Sequence, residues 1–369
     1  MGYIDPRQGT ETCGFAEQMA TDEILLQTTG DPGWAENCED VAFNSFPAAF
    51  SPDYKALRYL TCANMVVSDE KNHSPGVQNE GPFLAMNPFS SRCCQHNHGF
   101  GWPYYAQHLV LATNDGGLAT VLFGACEATA KVGGEGREIT LTEETEYPFD
   151  GKIKLTVSTK KKVSFPLYVR VPSWTHNATA SVNGSTVECS LGNGKYLRIE
   201  REWKNGDCVE LYFPMNINLR CWQTNQNSVS VDYGPLTLSL RIDEKNERKE
   251  SDKTAIGDSK WQKGADTSKW PTWLIHPASE WNYALCLNEP IKLVKKESVK
   301  ENTNPFVSTE VPLVFKAKGR KVPSWGIDKY GLCAPLPDAN AAQSSGTYDI
   351  ELIPMGAARL RISAFPQGK

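Results

Sequence analysis

The sequence predicts a multidomain α+β protein in which a helical region is followed by two β-sandwich domains. Two observations support this prediction. Up to about residue 110, apolar side chains recur at helical spacing between polar breaks, whereas from Leu118 onward short, alternating, β-branched runs are separated by turn residues. The length of 369 residues suffices for two or three domains. We therefore expect a helical part at 1–112, a first sandwich at 113–215 and a second sandwich at 216–369.

Three helices are expected in the first part. The first covers residues 11–26 with Thr10 or Thr12 as its N-cap, and the second covers about 34–49. The third is expected at 102–112, after two adjacent cysteines. Three helices cannot bury their apolar faces alone, so we expect them to be the end of a larger helical domain, with the chain beginning partway through it.

Turn residues place hairpins within the β-region. Residues 180–187 are typical of a hairpin on an Asn-Gly turn, and residues 196–211 predict a second hairpin around Asn205-Gly206. Residues 243–269 are rich in Lys, Glu, Asp and Ser and predict a long exposed insertion in the second sandwich.

Composition excludes several classes of function. A formal net charge of −5, with only short basic runs, argues against a nucleic-acid partner. No apolar run is long enough to span a bilayer, and the N-terminus lacks the basic and apolar regions of a signal peptide. We expect a soluble protein without a membrane partner. The compartment stays open, with the bacterial periplasm or cytoplasm preferred.

The eleven cysteines do not predict a disulfide framework, because their number is odd and their spacing irregular. Most of eight scattered ones are interpreted as small buried hydrophobes: Cys38, Cys62, Cys126, Cys189, Cys208, Cys221, Cys286 and Cys333. The adjacent pair Cys93-Cys94 differs, since a disulfide between neighbours strains the peptide that joins them. A metal site or a reactive thiol is the plainer use of such a pair.

Glu11 and Cys13, far upstream, extend this pair to one carboxylate and three thiols, a set that suits tetrahedral zinc. Spacing alone leaves three interpretations open: a zinc site, buried free thiols, and a catalytic thiol without a metal. His96 and His98 are rival ligands or hydrogen-bonded structural residues. A cysteine peptidase or acyltransferase that pairs Cys93 with a histidine is disfavoured, because such short loop spacings seldom give nucleophile–base geometry.

A metal-held cysteine is a thiolate at neutral pH and can act as the nucleophile of a retaining glycosidase. That reaction also needs a general acid, for which the nearby candidates are Asp22, Glu23, Glu39 and Asp40. Serine-based hydrolysis is not predicted, since the sequence contains no Gly-x-Ser-x-Gly elbow.

Glu11-Thr12-Cys13 followed by Cys93-Cys94 resembles the zinc–cysteine site of glycoside hydrolase family 127, the β-L-arabinofuranosidases and their relatives. Motifs similar to the family's later domains cover much of the remaining chain. They are YVRVPSW (168–174), VNG (182–184), IEREWKNGD (199–207), FPM (213–215), YGPL (233–236), WNYAL (281–285) and LRIS (360–363).

The resemblance implies an (α/α)6 barrel followed by β-sandwiches, with only the C-terminal part of the barrel in this chain. It implies a retaining glycosidase that releases L-arabinofuranose or a related sugar from plant-type glycans, with Zn²⁺ as cofactor. The zinc ligands that it implies are Glu11, Cys13, Cys93 and Cys94, with Cys93 also the catalytic nucleophile. Glu39 and Tyr59 fall where the family places residues that contact the sugar.

The family's general acid/base glutamate lies upstream of the Glu-x-Cys motif, so this chain is expected to lack it and to show little activity alone. Gln95-His96 follows the double cysteine where the family commonly has proline, which leaves the sugar undetermined. The alternative function is a non-catalytic carbohydrate-binding or structural β-sandwich protein with a remnant helical region. The expected partner is a carbohydrate, and a homodimer is kept as an option.

Overall fold

The computed structural model describes residues 5–71, 85–88, 92–187, 194–251, 266–300, 303–337 and 346–368. With 42% strands and 18% helix, the chain is a strand-rich, multidomain α+β protein. Its helices are α1 (Thr12–Thr29), α2 (Pro32–Asp40), α3 (Phe46–Ala48) and α4 (Arg92–Gln107), with a π-helical turn at Val41–Ser45 and 3-10 turns at Thr267–Lys269 and Met355–Ala357.

The strands are β1 (Thr10–Glu11), β2 (Leu60–Thr61), β3 (Asn64–Met65), β4 (Val110–Ala112), β5 (Leu118–Thr120), β6 (Cys126–Val132), β7 (Arg137–Thr145), β8 (Lys152–Thr159), β9 (Val163–Val171), β10 (Thr179–Val182), β11 (Ser185–Thr186), β12 (Lys195–Trp203), β13 (Asp207–Tyr212), β14 (Ile217–Trp222), β15 (Ser228–Tyr233), β16 (Leu236–Leu240), β17 (Glu244–Lys249), β18 (Thr272–Pro277), β19 (Tyr283–Cys286), β20 (Lys292–Lys296), β21 (Leu313–Lys321), β22 (Thr347–Pro354), β23 (Arg361–Ile362) and β24 (Gln367–Gly368).

The chain divides into two compact units, and each is built from separate stretches of sequence. The first unit comprises Met1–Glu17, Val41–Phe100 and Ile217–Lys369, and the second comprises Gln18–Asp40 and Gly101–Asn216. The predicted boundaries at 1–112, 113–215 and 216–369, and the assignment to a barrel and two sandwiches, stay predictions.

The second unit contains a six-stranded sheet in the order β11-β10-β13-β8-β7-β6 and a four-stranded sheet in the order β12-β9-β5-β4. Strand β8 shows why its residues form a sheet with one buried face. Ile153, Leu155 and Val157 are buried, whereas Lys152 and Lys154 between them are exposed. This period of two is what an antiparallel strand with one dry face requires.

The hairpin predicted at 180–187 is confirmed. Val182 pairs with Ser185 across a turn in which Asn183 and Gly184 have φ values of 51° and 78°. Two successive positive φ values are the signature of the type I′ turn, which Asn-Gly adopts readily.

The second predicted hairpin is wrong, because its two strands belong to different sheets. Strand β12 pairs with β9, whereas β13 pairs with β8 and β10. Trp203 at the end of β12 is fully buried and donates its indole N–H to the Phe165 carbonyl in β9 at 2.9 Å. This anchor holds β12 in the four-stranded sheet, so the Asn-Gly turn that follows carries the chain across to the other sheet.

The first unit contains an eight-stranded sheet in the order β14-β15-β16-β22-β21-β19-β24, with β20 also paired to β21. Its insertion was predicted as a loop at 243–269, but residues Glu244–Lys249 form β17 and pair with β18. Backbone pairing holds this exposed, charged strand, and a composition-based prediction does not detect it. The central part of the insertion, 252–265, lies outside the described residues.

Helix boundaries differ from the prediction where proline and glycine interrupt the helical pattern. Helix α4 begins at Arg92, ten residues earlier than expected, continues through Pro103, and is followed by strand β4 where a helix was predicted. The helix predicted at 34–49 is divided by the π-helical turn, with Pro47 at the beginning of α3. The double cysteine therefore lies within the first turn of a helix.

Within the described ranges, no helix is long and apolar enough to cross a membrane. Of the cysteines interpreted as buried, Cys38, Cys62, Cys286 and Cys333 are buried, Cys126 and Cys208 are half-buried, and Cys221 is exposed. Cys189 lies outside the described residues.

Candidate metal centre

Four side chains from three elements converge in the first unit: Glu11 from β1, Cys13 from α1, and Cys93 and Cys94 from α4. One ligand atom from each lies within 4.8 Å of all the others. The Cys13 Sγ lies 3.3 Å from Glu11 Oε2 and 3.9 Å from the Cys93 Sγ. Residues 80 positions apart in sequence are thus brought together, as a metal site requires.

Glu11 and Cys13 are positioned by the residue between them. The Thr12 N–H donates to the Tyr59 carbonyl at 2.9 Å, and the Thr12 hydroxyl donates to the Arg58 carbonyl at 2.6 Å. Glu11 itself pairs with Leu60 as β1 meets β2. The chain changes from strand to helix at this anchored threonine, and both flanking side chains reach the same point.

Cys93 and Cys94 point in different directions because neighbouring residues on an α-helix are about 100° apart. Cys94 is fully buried, with its Sγ 3.9 Å from the Tyr59 carbonyl oxygen, and Cys93 is exposed. Cys93 is therefore the most solvent-exposed cysteine of the cluster.

Tyr59 orients the carboxylate. Its hydroxyl donates to Glu11 Oε1 at 2.6 Å, which leaves Oε2 directed at Cys13. One oxygen is held by protein and the other is available as a ligand, the arrangement typical of a metal-binding carboxylate and its supporting hydrogen bond. The predicted contact between Tyr59 and a sugar stays a prediction.

The pKa values of two thiols in the cluster are raised, so these thiols stay protonated at neutral pH when no cation is bound. Burial raises the pKa of the Cys94 thiol to about 12. Burial, and then the neighbouring Cys94, also raise the pKa of Cys13. Buried thiols that resist ionisation on their own give up their protons when a divalent cation supplies the compensating charge.

The spacing of the donor atoms fits four-coordinate binding. Metal–sulfur and metal–oxygen distances of about 2.3 and 2.0 Å place tetrahedral neighbours about 3.8 Å apart for two sulfurs and about 3.5 Å apart for sulfur and oxygen. The corresponding distances are 3.9 and 3.3 Å. The remaining pairs of ligand atoms lie within 4.8 Å of each other, so a Glu/Cys₃ metal site fits these residues.

Neither rival histidine belongs to this group of ligand atoms in the described part of the chain. His98 Nδ1 lies 2.8 Å from the Cys94 carbonyl oxygen, one helical turn earlier, and its ring packs against Phe50 with the ring centres 5.6 Å apart. His96 is exposed. The His98 side chain thus contacts the backbone of the helix that carries the cysteine pair.

Glu39 lies in the second unit and is 1% exposed. One carboxylate oxygen accepts from the Arg170 guanidinium and the other from the Tyr147 hydroxyl, at 2.7 Å. Burial raises the pKa of Glu39 to about 7, and Arg170 offsets part of that shift. Because both oxygens are bound to protein, the geometry adds nothing to the predicted sugar contact of Glu39, which stays a prediction.

The other acidic candidates lie on helices α1 and α2. Asp22 and Glu23 are buried in α1, and Glu23 Oε2 is 2.9 Å from His108 Nδ1. Asp40, at the end of α2, is exposed. All three lie in the second unit, as Glu39 does.

Sequence reasoning missed the bond between Tyr59 and Glu11 and the buried arginines Arg58, Arg170, Arg359 and Arg361. Arg170, Arg359 and Arg361 each donate to a residue at least 49 positions away, so no local spacing reports those bonds. A signal existed only for Arg170 and Arg361, which stand inside the quoted family motifs.

The chain resembles known proteins in sequence and in structure. Residues 2–107 match the family model of the GH127 β-L-arabinofuranosidase catalytic domain, and residues 117–215 match the middle domain of the same family. No protein of curated function matches the sequence.

Three solved structures resemble almost the whole chain. One is a glycoside hydrolase at 23% identity and a TM-score of 0.69, covering 99% of this chain and 53% of its own. The second is Ara127N-Se, a GH127 β-L-arabinofuranosidase from Geobacillus stearothermophilus T6, with 21% sequence identity and a TM-score of 0.66. The match covers 98% of this chain and 49% of that structure's chain. The third is a GH127 β-arabinofuranosidase with 19% sequence identity and a TM-score of 0.68. The match covers 98% of this chain and 50% of that structure's chain.

The chain spans about half the length of each of these structures. At these identities the structural likeness establishes the fold, and the family rests on the two sequence matches. Together they cover more than half of the 369 residues and include all four side chains of the cluster. The chain belongs to glycoside hydrolase family 127.

Proposed function

We propose that this chain carries the metal site and the nucleophile of a retaining glycosidase that acts on L-arabinofuranosides or a related sugar of plant-type glycans. The observation that carries the proposal is the convergence of Glu11, Cys13, Cys93 and Cys94 within 4.8 Å. The match of residues 2–107 to the family's catalytic domain supports it.

We assign zinc to the cluster, with Glu11, Cys13, Cys93 and Cys94 as its ligands. Three thiolates select a soft or borderline cation, and four ligand atoms at these spacings suit the tetrahedral preference of Zn²⁺. When bound, zinc supplies the positive charge that keeps its cysteine ligands ionised at neutral pH.

Cys93 is assigned as the nucleophile, because it is the exposed cysteine of the four residues. Its Sγ would form a bond to the anomeric carbon as the bond from that carbon to the leaving oxygen breaks. A water molecule would then attack the same carbon and give a proton to the conjugate base of the general acid, which releases the sugar with retained configuration and restores the thiolate. Two inversions at one carbon give net retention.

The leaving oxygen must receive a proton, and no group in the cluster is free to donate one. Glu11 is assigned as a ligand, and its Oε1 already accepts a hydrogen bond from Tyr59. We therefore assign the general acid to a residue outside the cluster. Tyr59 holds Glu11 in place and is a positioning residue in this scheme.

The finer architecture proposed here follows the family. Helices α1 to α4 would form the C-terminal part of an (α/α)6 barrel, and the two sheets of the second unit would form the first of two β-sandwiches. The proposed domain boundaries remain 1–112, 113–215 and 216–369.

Zinc stoichiometry tests the site. We expect the chain to copurify with zinc, and Cys13→Ser and Cys93→Ser to lose most of it because each variant removes one thiolate. Cys221→Ser, at an exposed cysteine of the first unit outside the cluster, is the matched control and should keep its zinc. Undiminished zinc in both cluster variants would refute the site.

An activated substrate tests the nucleophile separately from the acid. A nitrophenyl L-arabinofuranoside has a leaving group that departs without protonation, so the first step needs only the thiolate. We expect intact-protein mass spectrometry to detect one pentosyl adduct that maps to Cys93 and is missing in Cys93→Ser. Sugar binding without any adduct would instead favour a non-catalytic carbohydrate-binding protein.

A further inference from the structure

The metal cluster rests on one short stretch of chain, residues 58–65, which we call the support strand. Its carbonyls at Arg58 and Tyr59 accept from Thr12, and the Tyr59 hydroxyl donates to Glu11. The Cys94 thiol also lies against the Tyr59 carbonyl. A displacement of the support strand would therefore move ligands from both halves of the cluster.

The far end of the support strand is fixed by residues 361–364, which we call the late segment. Asn64 Oδ1 accepts from the backbone N–H groups of Ser363 and Ala364 at 2.9 and 3.0 Å, and Asn64 Nδ2 donates to the Ala364 carbonyl at 2.9 Å. These three bonds satisfy a fully buried amide with partners about 300 positions away.

Arg361 adds a second attachment. Its Nη2 donates to the Thr61 hydroxyl, and its Nη1 donates to the Ala358 carbonyl at 3.1 Å. Strand β23 pairs with β3 in the register Arg361 with Met65 and Ile362 with Asn64. The Arg361 side chain and the backbone pairing thus specify the same alignment of the late segment with the support strand.

The attachment of the support strand to the late segment is buried away from solvent, which makes it costly to displace. Thr61, Asn64 and Arg361 are each at most 1% exposed. A buried polar group that loses its partner costs about 1–3 kcal/mol, and more if it is charged, so the alignment cannot slide without breaking several such bonds.

We propose that Thr61, Asn64 and Arg361 are positioning residues of the metal site, which act by locking the support strand to the late segment. The proposal rests on the metal-binding function proposed above. Ligand distances in a metal site tolerate changes of only about 0.2 Å, so a small shift at Leu60 or Tyr59 would be felt at Glu11 and Cys94. Loss of supporting partners typically lowers metal affinity about 10–100-fold.

The test is a Co²⁺ titration of the full chain, with the thiolate-to-metal absorption band as the signal and a competing chelator to obtain the affinity. Thr61→Val removes the acceptor of Arg361 at nearly constant shape, and Thr61→Ser restores the hydroxyl. Thr237→Val is the matched control, since Thr237 is also buried in the first unit and also accepts from an arginine, Arg220, at 3.0 Å.

We expect Thr61→Val to bind Co²⁺ about tenfold or more weakly with an altered absorption band, and Thr61→Ser to stay near the parent affinity. Thr237→Val should lower the unfolding temperature without changing affinity or band. Asn64→Asp gives a second test if Thr61→Val does not fold. It keeps the two bonds accepted from Ser363 and Ala364 and loses the bond donated to the Ala364 carbonyl. We expect its Co²⁺ affinity to lie between those of the parent and Thr61→Val.

The proposal is overturned if Thr61→Val keeps the parent affinity and spectrum, or if Thr237→Val weakens binding as much. Absence of a thiolate band in the parent chain gives a different pattern, because it would remove the proposed metal site itself and the positioning role with it.

Discussion

At the scale of single residues, the second unit holds a buried carboxyl group that should be protonated at neutral pH. Glu143 is 2% exposed, and its Oε1 accepts from the Gly124 N–H at 3.0 Å. Burial raises the pKa of Glu143 to about 8; the charge of Glu39 adds to this shift, and Arg170 and the Gly124 bond offset part of it. The group therefore links folding to pH.

The sign of this linkage follows from where the proton is held. The folded chain keeps the Glu143 proton up to about pH 8, whereas an unfolded chain releases it near its usual value of about 4.3. The folded state binds more protons within that window, so stability is lost as pH rises through it. We expect Glu143→Gln, which stays neutral, to unfold several degrees above the parent at about pH 9 and close to it at about pH 5.

Thermal unfolding measured across this pH range checks the prediction. Glu144→Gln is the control, because Glu144 is the next residue and is exposed, in an ion pair with Lys154 at 2.7 Å. Parallel pH profiles for the parent and Glu143→Gln would contradict the prediction.

The cluster residues could be predicted individually because two short motifs carry them. Glu11-Thr12-Cys13 and Cys93-Cys94 are local patterns, and the chemistry of thiols and carboxylates suggests their use. The hydrogen bond between Tyr59 and Glu11 could not be predicted, since it joins residues 48 positions apart through a fold that must already exist.

At the scale of elements, the turn between β4 and β5 depends on a glycine for space. A Cβ on Gly117 would lie 2.2 Å from the Pro166 carbonyl oxygen and 2.9 Å from the Thr113 hydroxyl. The backbone cannot withdraw easily, because Gly117 exchanges hydrogen bonds with Thr113 at 3.0 Å.

We expect Gly117→Ala to lower the free energy of unfolding by about 1–3 kcal/mol through this overlap. Gly134→Ala is the control, since no atom lies within 4 Å of its added Cβ. Denaturant unfolding of both variants gives the comparison, and equal stability would show that the turn relaxes.

Elements were predictable where a local signal decided the outcome. Asn183-Gly184 fixed its hairpin by backbone preference alone. Asn205-Gly206 carries the same signal but joins strands of different sheets, because the burial of Trp203 outweighs it. Helix α4 begins at Arg92 rather than at residue 102, and it continues through Pro103, a residue type that usually ends or kinks a helix.

At the scale of the whole chain, all four proposed zinc ligands belong to the first unit. A ligand that binds only the folded state stabilises the unit that binds it. We expect a chelator to reduce hydrogen-exchange protection in β15, β16 and β22 of the first unit, while β7 and β8 of the second unit keep theirs.

Peptide-resolved hydrogen exchange with and without chelator makes this comparison, and the Cys13→Ser variant should reproduce the chelated pattern without chelator. An equal loss of protection in both units would contradict it. That result would mean that the two units unfold as one.

Each compact unit is assembled from separate stretches of the chain. A linear reading cannot anticipate this arrangement, because it depends on contacts such as those of Asn64 with Ser363 and Ala364, which span about 300 positions. Hydrophobic periodicity reports which face of an element is buried, but not which distant segment buries it.

The interleaving sets an order of events during translation. The support strand leaves the ribosome about 300 residues before the late segment that fixes it. At about 5–20 residues per second, the nascent cysteines wait on the order of ten seconds or more for that partner. The proposed zinc site would therefore be completed only after the late segment has been made, and its thiols would have to stay reduced until then.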